Sequence, residues 1–293
     1  MKILLLGKNG QVGWELQRSL APLGEVLAFD RDDSADLADG EALAALVRKV
    51  SPQLIVNAAA YTAVDKAERE PEPAFQINAK APARLAAEAK ALGALLLQFS
   101  TDYVFDGSGD QPRDEDAPTG PLSVYGASKL AGEEAIRASG CQHLILRTSW
   151  VYAARGGNFA KTMLHLATER EQIKVVSDQI GAPTGAELLA DLSAHMARAT
   201  LHQPELSGTY HAVASGETSW YDYARHVIEF ARARGARLLT APDQILPLAS
   251  HDYPMAAKRP HNSRLSTQKL QTRFGLALPH WQKGVDRMLS EVL

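Results

Sequence analysis

The first residues of the chain constrain its fold more than any other stretch. Lys2–Leu6 is a short apolar run that ends at a glycine, as in a buried parallel strand. Glycines then recur as Gly-x-x-Gly-x-x-Gly, and helix-forming sequence begins at Trp14. A strand, a glycine turn and a helix allow the backbone to approach a pyrophosphate at a helix N-terminus. The opening therefore predicts a dinucleotide-binding unit whose contacts are Gly7, Gly10, Gln11, Val12 and Gly13.

Apolar runs and helical segments alternate after this opening. The pattern predicts an α/β fold, with a doubly wound parallel sheet and a smaller C-terminal α/β domain that binds substrate. We expect residues 1–150 to form the nucleotide-binding domain, with some later segments returning to it, and residues 151–293 to form mainly the substrate domain. The predicted strands of the first part are Lys2–Leu6, Glu25–Phe29, Gln53–Asn57, Ala94–Ser100 and His143–Arg147.

The second part has a looser pattern. It predicts strands at Ile173–Val176 and Gly208–Ala212, and helices at Ala186–Thr200 and Trp220–Ala233. A long irregular segment runs from Tyr253 to Leu265 and contains Lys258, Arg259 and Arg264. These cations suit a diphosphate, and a solvated loop is the alternative interpretation.

Composition narrows the function classes. The 293 residues are 45% hydrophobic and 22% charged, as in ordinary globular proteins, and the formal net charge is −3 without a basic tract. We therefore expect no nucleic-acid or membrane partner. The single cysteine, Cys141, cannot form an intramolecular disulfide, which fits a reducing compartment. The apolar opening is too short for a signal peptide, and we expect a cytoplasmic protein.

Two stretches carry the residues for proton transfer to a carbonyl oxygen. Tyr125 and Lys129 lie one turn apart on a predicted helix, and Thr101 follows the fourth strand. A neighbouring ammonium would lower the pKa of the phenol, and the Thr101 hydroxyl would hydrogen-bond to the same substrate oxygen. A Tyr-x-x-x-Lys spacing can occur on any helix and is weak evidence alone. Its position after the glycine turn and after Thr101 is what indicates a catalytic role.

Further residues follow the second and third strands. Asp30 is placed to accept from an adenosine ribose, and Arg31 to pair with a 2′-phosphate, or both are solvated charges at a strand end. Together they predict use of both NADH and NADPH. After the third strand, small side chains ending at Ala60 let a cofactor pass close to the backbone, and Tyr61 and Thr62 complete the turn.

The motifs together resemble the extended short-chain dehydrogenase/reductase family and, within it, the dTDP-4-dehydrorhamnose reductases. The segments that carry the resemblance are 7–13, 57–65, 100–105, 147–152, 181–184 and 259–265, together with Tyr125 and Lys129. The resemblance implies reduction by NADPH or NADH of the C4 ketone of dTDP-4-dehydro-6-deoxy-L-mannose to dTDP-β-L-rhamnose. That reaction would be the last step of dTDP-rhamnose biosynthesis, which feeds lipopolysaccharide or cell-wall polysaccharide.

The resemblance also implies roles for single residues. Tyr125 would donate the proton, Lys129 would hold the nicotinamide ribose, and Thr101 would orient the carbonyl. Asp102 and Trp150 would touch the sugar nucleotide, although a core position for Trp150 is the alternative. An acidic-apolar pair would contact the adenine, at Asp36 and Leu37. Family members are dimers with Mg²⁺ at the interface, for which Glu15 and Glu187 are the matching ligands. Both glutamates also lie near predicted helix starts, where the helix dipole alone favours them.

Rival functions stay open from the sequence. One is another sugar-nucleotide enzyme on the same scaffold, such as a 4-epimerase or a 4,6-dehydratase. A dehydratase would need an acid/base pair beside Thr101 that Asp102-Tyr103 does not supply. A catalytically silent regulatory relative is the rival from another class, and the presence of both Tyr125 and Lys129 argues against it.

Overall fold

A computed structural model describes residues 1–33, 35–253 and 255–293. Ser34 and Pro254 lie outside the described residues, and Pro254 belongs to the irregular segment between Tyr253 and Leu265. The strands are β1 Lys2–Leu6, β2 Glu25–Phe29, β3 Leu54–Asn57, β4 Leu95–Thr101, β5 His143–Thr148, β6 Val151–Tyr152, β7 Ile173–Val176, β8 Ile180–Gly181, β9 Thr184–Gly185, β10 Gly208–His211, β11 Thr218–Ser219 and β12 Ile245–Leu248.

The helices surround these strands. They are α1 Gln11–Leu20, α2 Gly40–Val50, α3 Val64–Ala67, α4 Pro71–Phe75, α5 Ala81–Leu92, α6 Val124–Ser139, α7 Phe159–Glu169, α8 Ala186–His202, α9 Trp220–Ala233, α10 Gln268–Phe274 and α11 Trp281–Val292, with a π-helical turn at Gln76–Lys80. Short 3₁₀ turns lie at Ala21–Leu23, Arg31–Asp33, Asp102–Val104, Pro204–Leu206, Pro242–Gln244 and Ser250–Asp252. Among the described residues, no helix combines the length and apolar character needed to cross a membrane.

A parallel six-stranded sheet confirms the predicted fold class. Its strand order is β10-β5-β4-β3-β1-β2, and every neighbouring pair is parallel. The chain builds outward from β1 to β2, then returns to β3 and builds in the other direction. In such sheets ligands bind outside the carboxyl ends of the strands, at the point where the order reverses. That point lies between β1 and β3, directly beside the glycine turn.

The sheet is buried on both faces, which explains why its strands are apolar without alternation. One face packs on α1 and α8 through a cluster that includes Leu16 and Leu189. The other face packs on α2 and α5 through a cluster that includes Leu43 and Leu85. Only the strand ends therefore remain available for binding.

A separate apolar cluster organises the C-terminal part. It is centred on α7, α9 and α11, and its members include Met163, Val227 and Trp281. Three pairs of short strands connect this part, namely β7 with β12, β8 with β11, and β6 with β9. Two elements from beyond residue 150 nevertheless pack with the first part of the chain, because β10 pairs with β5 in the large sheet and α8 packs against α1.

Candidate active site

Two of the three glycines in the opening turn are required by packing. Gly7 has φ +85°, and a Cβ there would lie 2.8 Å from the Ala59 nitrogen. A Cβ at Gly13 would lie 1.9 Å from the Gly7 carbonyl oxygen, so only glycine lets α1 start this close to β1. At Gly10 the nearest atom to a Cβ is 3.4 Å away, which is ordinary contact. Gly10 therefore leaves its outer side open for a ligand to approach the backbone.

An open cleft of about 390 Å³ lies beside this turn. Six residues predicted to bind cofactor line it, namely Gly7, Asp30, Arg31, Asp36, Leu37 and Ala60. Asn9, Asp32, Ala35, Ala59 and Ile77 complete its wall. The π-helical turn that carries Ile77 has no sequence signature of its own, so this residue was missed. The predicted contacts Gln11 and Val12 lie in the first turn of α1, next to the cleft.

The cleft carries charges of both signs. The Asp30 carboxylate accepts hydrogen bonds from the backbone nitrogens of Asn9 at 3.2 Å and Arg31 at 2.8 Å. It therefore fixes the turn in addition to facing the cleft. The Arg31 side chain is exposed, whereas Lys8 is paired with Asp33 at 2.6 Å.

The structure fits a dinucleotide at this cleft. Gln11 Oε1 is buried and has no hydrogen-bond partner among the described residues, which leaves an acceptor at the start of α1 for a ligand. Backbone amides at a helix start also suit a pyrophosphate. The far wall is held by Asn78, a buried residue that accepts from the Tyr61 nitrogen at 2.9 Å and donates to the Ser128 hydroxyl at 3.0 Å. Thr62 lies in the same turn and is exposed.

The reactive side chains converge where β4 meets α6. A Cβ at Gly126 would lie 2.2 Å from the Tyr103 carbonyl oxygen, so this glycine lets α6 pack closely on the turn after β4. As a result, the Thr101 hydroxyl lies near the Tyr125 phenol and opposes the effect of burial on its pKa, while it donates its own hydrogen bond to Asp102 at 3.0 Å. The two groups predicted to face the substrate carbonyl are thus neighbours.

The predicted effect of Lys129 on Tyr125 is wrong for this geometry. Burial dominates and raises the pKa of the Tyr125 phenol to about 12, although part of the residue remains accessible to solvent. The Lys129 ammonium instead donates to the Phe99 carbonyl oxygen at 2.6 Å. Burial also lowers the pKa of Lys129 to about 8. The spacing correctly predicted that Tyr125 and Lys129 lie one turn apart on a helix, but it could not predict where the flexible Lys129 side chain points.

Asp102 is held from two sides. Its carboxylate is 2% exposed and accepts from the hydroxyls of Thr101 at 3.0 Å and Ser263 at 2.5 Å. Burial raises the pKa of Asp102 to about 6, and the two hydroxyls act in the opposite direction. Asp102 therefore ties the C-terminal segment to the reactive residues, a role that its position in the sequence did not reveal.

A buried ion pair fixes the elements under the site. Glu133 of α6 and Arg147 of β5 are almost fully buried and lie 2.7 Å apart, and the Ser100 hydroxyl donates to the same carboxylate at 2.5 Å. The pairing keeps the pKa of Glu133 low despite an opposing effect of burial. Removing one partner of such a pair would leave the other charge buried without compensation, which is strongly destabilising. The pair therefore anchors α6 to β4 and β5.

Trp150 combines features of both interpretations offered by the sequence. It is half-buried, and its ring stacks on Trp220 with centroids 3.6 Å apart and planes 15° apart. The ring face towards Trp220 is therefore not available to a ligand. Its backbone has φ +50°, a conformation that costs a bulky residue about 1–3 kcal/mol. Strain of this kind is retained where the surrounding structure holds it.

The cations of the irregular segment are mostly paired. Arg259 makes a two-pronged contact with Asp65 at 2.7 and 3.2 Å, and Arg264 pairs with Glu217 at 2.6 Å. Lys258 is exposed and lines a separate cleft of about 470 Å³. The predicted diphosphate site therefore has fewer unengaged charges than the sequence indicated.

The two glutamates predicted to bind Mg²⁺ are each paired with arginine. Glu15 lies 3.4 Å from Arg18, and Glu187 lies 3.3 Å from Arg287. No group of three or more metal-ligating side chains occurs within residues 1–33, 35–253 and 255–293. Two paired carboxylates fall short of the octahedral oxygen shell that Mg²⁺ requires, so this chain alone does not fit the ion.

Comparison with known proteins agrees with this geometry. The family model described as RmlD substrate binding domain matches residues 1–293. The dTDP-4-dehydrorhamnose reductase of Escherichia coli K12 is 56% identical over 100% of this chain and 98% of its own. A dTDP-4-dehydrorhamnose reductase structure from Clostridium acetobutylicum superposes with TM-score 0.90 at 34% identity, covering 100% of this chain and 99% of that one.

A second solved structure bears on the cofactor. The dTDP-4-dehydrorhamnose reductase of Bacillus anthracis, in complex with NADP, has TM-score 0.89 and 35% identity, and 99% of each chain is covered. The sequence prediction of the family is confirmed by all three comparisons. The chain belongs to the dTDP-4-dehydrorhamnose reductase family.

Proposed function

We propose that this chain uses NADPH or NADH to reduce the C4 ketone of dTDP-4-dehydro-6-deoxy-L-mannose to dTDP-β-L-rhamnose. One observation carries the proposal. Thr101 ends β4, and Tyr125 lies in the first turn of α6, which packs against the turn after β4, so the two side chains are neighbours beside the cleft that the glycine turn borders. Membership of the family then selects the substrate from among the ketones that such a site accepts.

The proton-transfer chemistry follows from the states of the side chains. When bound, the nicotinamide supplies hydride to the carbonyl carbon. Negative charge then grows on the carbonyl oxygen, where Tyr125 donates its proton. The Thr101 hydroxyl, which donates to Asp102 in this structure, would turn its hydrogen towards the same substrate oxygen. Burial raises the pKa of Tyr125 to about 12, so the phenol is protonated at neutral pH and available as the acid. A phenolate is a weaker base than an alkoxide, so the transfer runs downhill.

Lys129 would hold the nicotinamide ribose. Its ammonium already donates to the Phe99 carbonyl oxygen at the end of β4, which holds the side chain under the site. Burial lowers its pKa to about 8, so it is still mainly protonated at neutral pH.

The cleft would hold the adenosine half of the cofactor. Its members Gly7, Asp30, Arg31, Asp36, Leu37 and Ala60 support this assignment by lining one space. Gln11 Oε1 offers a buried acceptor nearby. Asp30 favours NADH and Arg31 favours NADPH, which supports use of both.

Other predictions from the sequence remain proposals. We place cofactor binding in residues 1–150 with α8 and β10 added, and sugar-nucleotide binding mainly in the rest of 151–293. Asp102 and Trp150 would contact the sugar nucleotide. A cytoplasmic location, a homodimer and a polysaccharide destination for the rhamnose stay predictions. Mg²⁺ at Glu15 and Glu187 would need ligands from a second copy of the chain.

An assay with generated substrate tests the proposal. Adding dTDP-4-dehydro-L-rhamnose, produced enzymatically, should cause oxidation of NADPH with one equivalent of dTDP-rhamnose formed. A purified protein that retains NAD and interconverts sugar epimers without net oxidation would instead be a 4-epimerase. A protein that binds the sugar nucleotide without any turnover would be a silent relative.

A further inference from the structure

A short ribbon in the C-terminal part meets the Trp150 ring at two points. The ribbon is β8 paired antiparallel with β11, with Gly181 opposite Thr218 and Ile180 opposite Ser219. Trp220 follows β11 directly as the first residue of α9. The pairing therefore fixes Gly181 and Trp220 relative to each other through the backbone.

Trp220 covers one face of Trp150 and is itself held from behind. The two indoles are nearly parallel with centroids 3.6 Å apart, and the Phe159 ring lies 4.6 Å from Trp220. The helix that carries Trp220 is capped by Ser219, whose hydroxyl accepts from the Asp222 nitrogen at 2.9 Å and donates to its carboxylate at 2.7 Å. The Trp220 ring thus packs against two aromatic side chains, and the helix start that carries it is capped.

Gly181 lies against the same indole and links it to the reactive residues. A Cβ at Gly181 would lie 2.8 Å from Cε2 of Trp150 and 3.1 Å from the Ser263 Cβ. The absence of a side chain at Gly181 thus lets both Trp150 and Ser263 pack against this residue. Ser263 in turn donates to Asp102, the neighbour of Thr101. A chain of contacts therefore connects the Trp150 ring, through Gly181, Ser263 and Asp102, to Thr101, which we propose faces the substrate carbonyl.

We propose that Trp220 is a positioning residue for the reduction, because with Gly181 it fixes the plane and position of the Trp150 indole against the sugar nucleotide. This inference rests on the proposed function. The backbone at Trp150 has φ +50°, a conformation that a bulky side chain does not retain without support. Trp220 and Gly181 supply that support, and the accessible part of the ring is presented in one orientation only.

Two measurements test the positioning role: one reports whether the two rings are stacked, and the other reports which ligand is affected. Two indoles stacked at this distance couple their excited states, which gives a paired positive and negative band in the circular dichroism spectrum. That signature belongs to the Trp150–Trp220 pair and is lost when either ring is replaced. A positioning role also acts on sugar-nucleotide binding alone, since none of the residues that line the cofactor cleft belongs to β8, β11 or α9.

The experiment compares Trp220→Leu with Trp220→Phe. For Trp220→Leu we expect loss of the coupled bands, a rise of at least tenfold in KM for the sugar nucleotide, and NADPH affinity within twofold of the parent. Trp220→Phe keeps an aromatic face and should restore most of the KM. Gly181→Ala would place a methyl group 2.8 Å from Cε2 of Trp150, so it should displace the ring and raise KM while leaving the Trp220 packing against Phe159 in place.

Trp281→Phe is the matched control, because Trp281 is a buried member of the same apolar cluster. It should lower the melting temperature while leaving the coupled bands and KM unchanged. If the parent is active and both Trp220→Leu and Gly181→Ala keep the KM of the parent, the inference is wrong and the proposed function is unaffected. A parent that neither oxidises NADPH with this substrate nor binds dTDP-rhamnose overturns the proposed function, and the inference with it.

Discussion

The proposed active site has a cofactor side and a sugar side, and the two are built in different ways. On the cofactor side, β1, the glycine turn and α1 are contiguous, and the cleft is completed by residues between Asn9 and Ile77. On the sugar side, Trp150, Gly181, Trp220 and Ser263 come from four separate segments. The first side is a local motif, and the second exists only after the chain has folded. Substitutions on each side should therefore affect different ligands.

Substitution of Tyr125, which lies between the two sides, should have the largest effect on turnover. Tyr125→Phe removes the proton donor but keeps the ring, so kcat should fall by roughly 10²–10⁴. NADPH affinity, measured by fluorescence titration, should stay unchanged. Tyr210→Phe serves as control, since this buried hydroxyl donates to the Leu206 carbonyl under the sheet and should affect only stability. Parent-like turnover in Tyr125→Phe would show that another group is the acid.

Asp102 connects Ser263 on the sugar side to Thr101, and the titration of its carboxyl group offers a second test of the structure. Its pKa is raised from 3.8 to about 6, so the folded state binds the proton more tightly than the unfolded chain does. This contribution to stability is present below about pH 4 and is lost as pH rises through about 6, by roughly 3 kcal/mol. The difference in unfolding free energy between parent and Asp102→Asn, from urea titrations, should therefore shift in favour of the variant between pH 4.5 and 7.5. A difference that is independent of pH would contradict the buried environment of this carboxyl.

The cofactor side is tested by its most crowded glycine. A Cβ at Gly13 would overlap the Gly7 carbonyl oxygen, so Gly13→Ala should cost about 1–3 kcal/mol and weaken NADPH binding. Binding of dTDP-rhamnose, followed by calorimetry, should be little changed. Gly40→Ala is the matched control at a helix start, because no atom lies within 4 Å of the added Cβ. Equal weakening of both ligands would show that the two sides are not independent.

Cofactor choice should give the smallest effect. Arg31→Ala should shift the ratio of kcat/KM values towards NADH, and Asp30→Ala towards NADPH, each by about tenfold, or roughly 1.4 kcal/mol. Arg31→Ala is the cleaner change, since Asp30 also holds two backbone nitrogens. Steady-state kinetics with both cofactors measure the ratio. A ratio that neither substitution moves would place both side chains out of reach of the ribose.

The same contrast explains what the sequence could predict. β1 and β2 were predicted with the correct ends, and the other strands of the large sheet to within a residue, because apolar runs bounded by turn residues carry that signal locally. The helix α1 begins at Gln11 rather than Trp14, since the glycine turn itself provides the helix start. On the cofactor side, most of the cleft could therefore be predicted from local pattern.

The sugar side could not be predicted in this way. Strands of two residues, such as β8 and β11, have no periodicity to detect. The hydrogen bond from Ser263 to Asp102 joins residues 161 apart in the chain, and the Trp150–Trp220 stack has no local sequence signal. The direction of the Lys129 side chain also depends on its burial, which a helical spacing does not specify. These features depend on tertiary contacts rather than on local propensity.

The return of α8 and β10 to the large sheet limits how the gene can be divided. A fragment that stopped at Trp150 would leave the β5 edge without the backbone partner that β10 supplies. It would also remove α8, whose Leu189 belongs to the same apolar cluster as Leu144 and Leu146. An open apolar strand edge recruits other chains, so such a fragment should aggregate during expression. Any cofactor-binding fragment intended for biosensors or crystallography must therefore extend through His211.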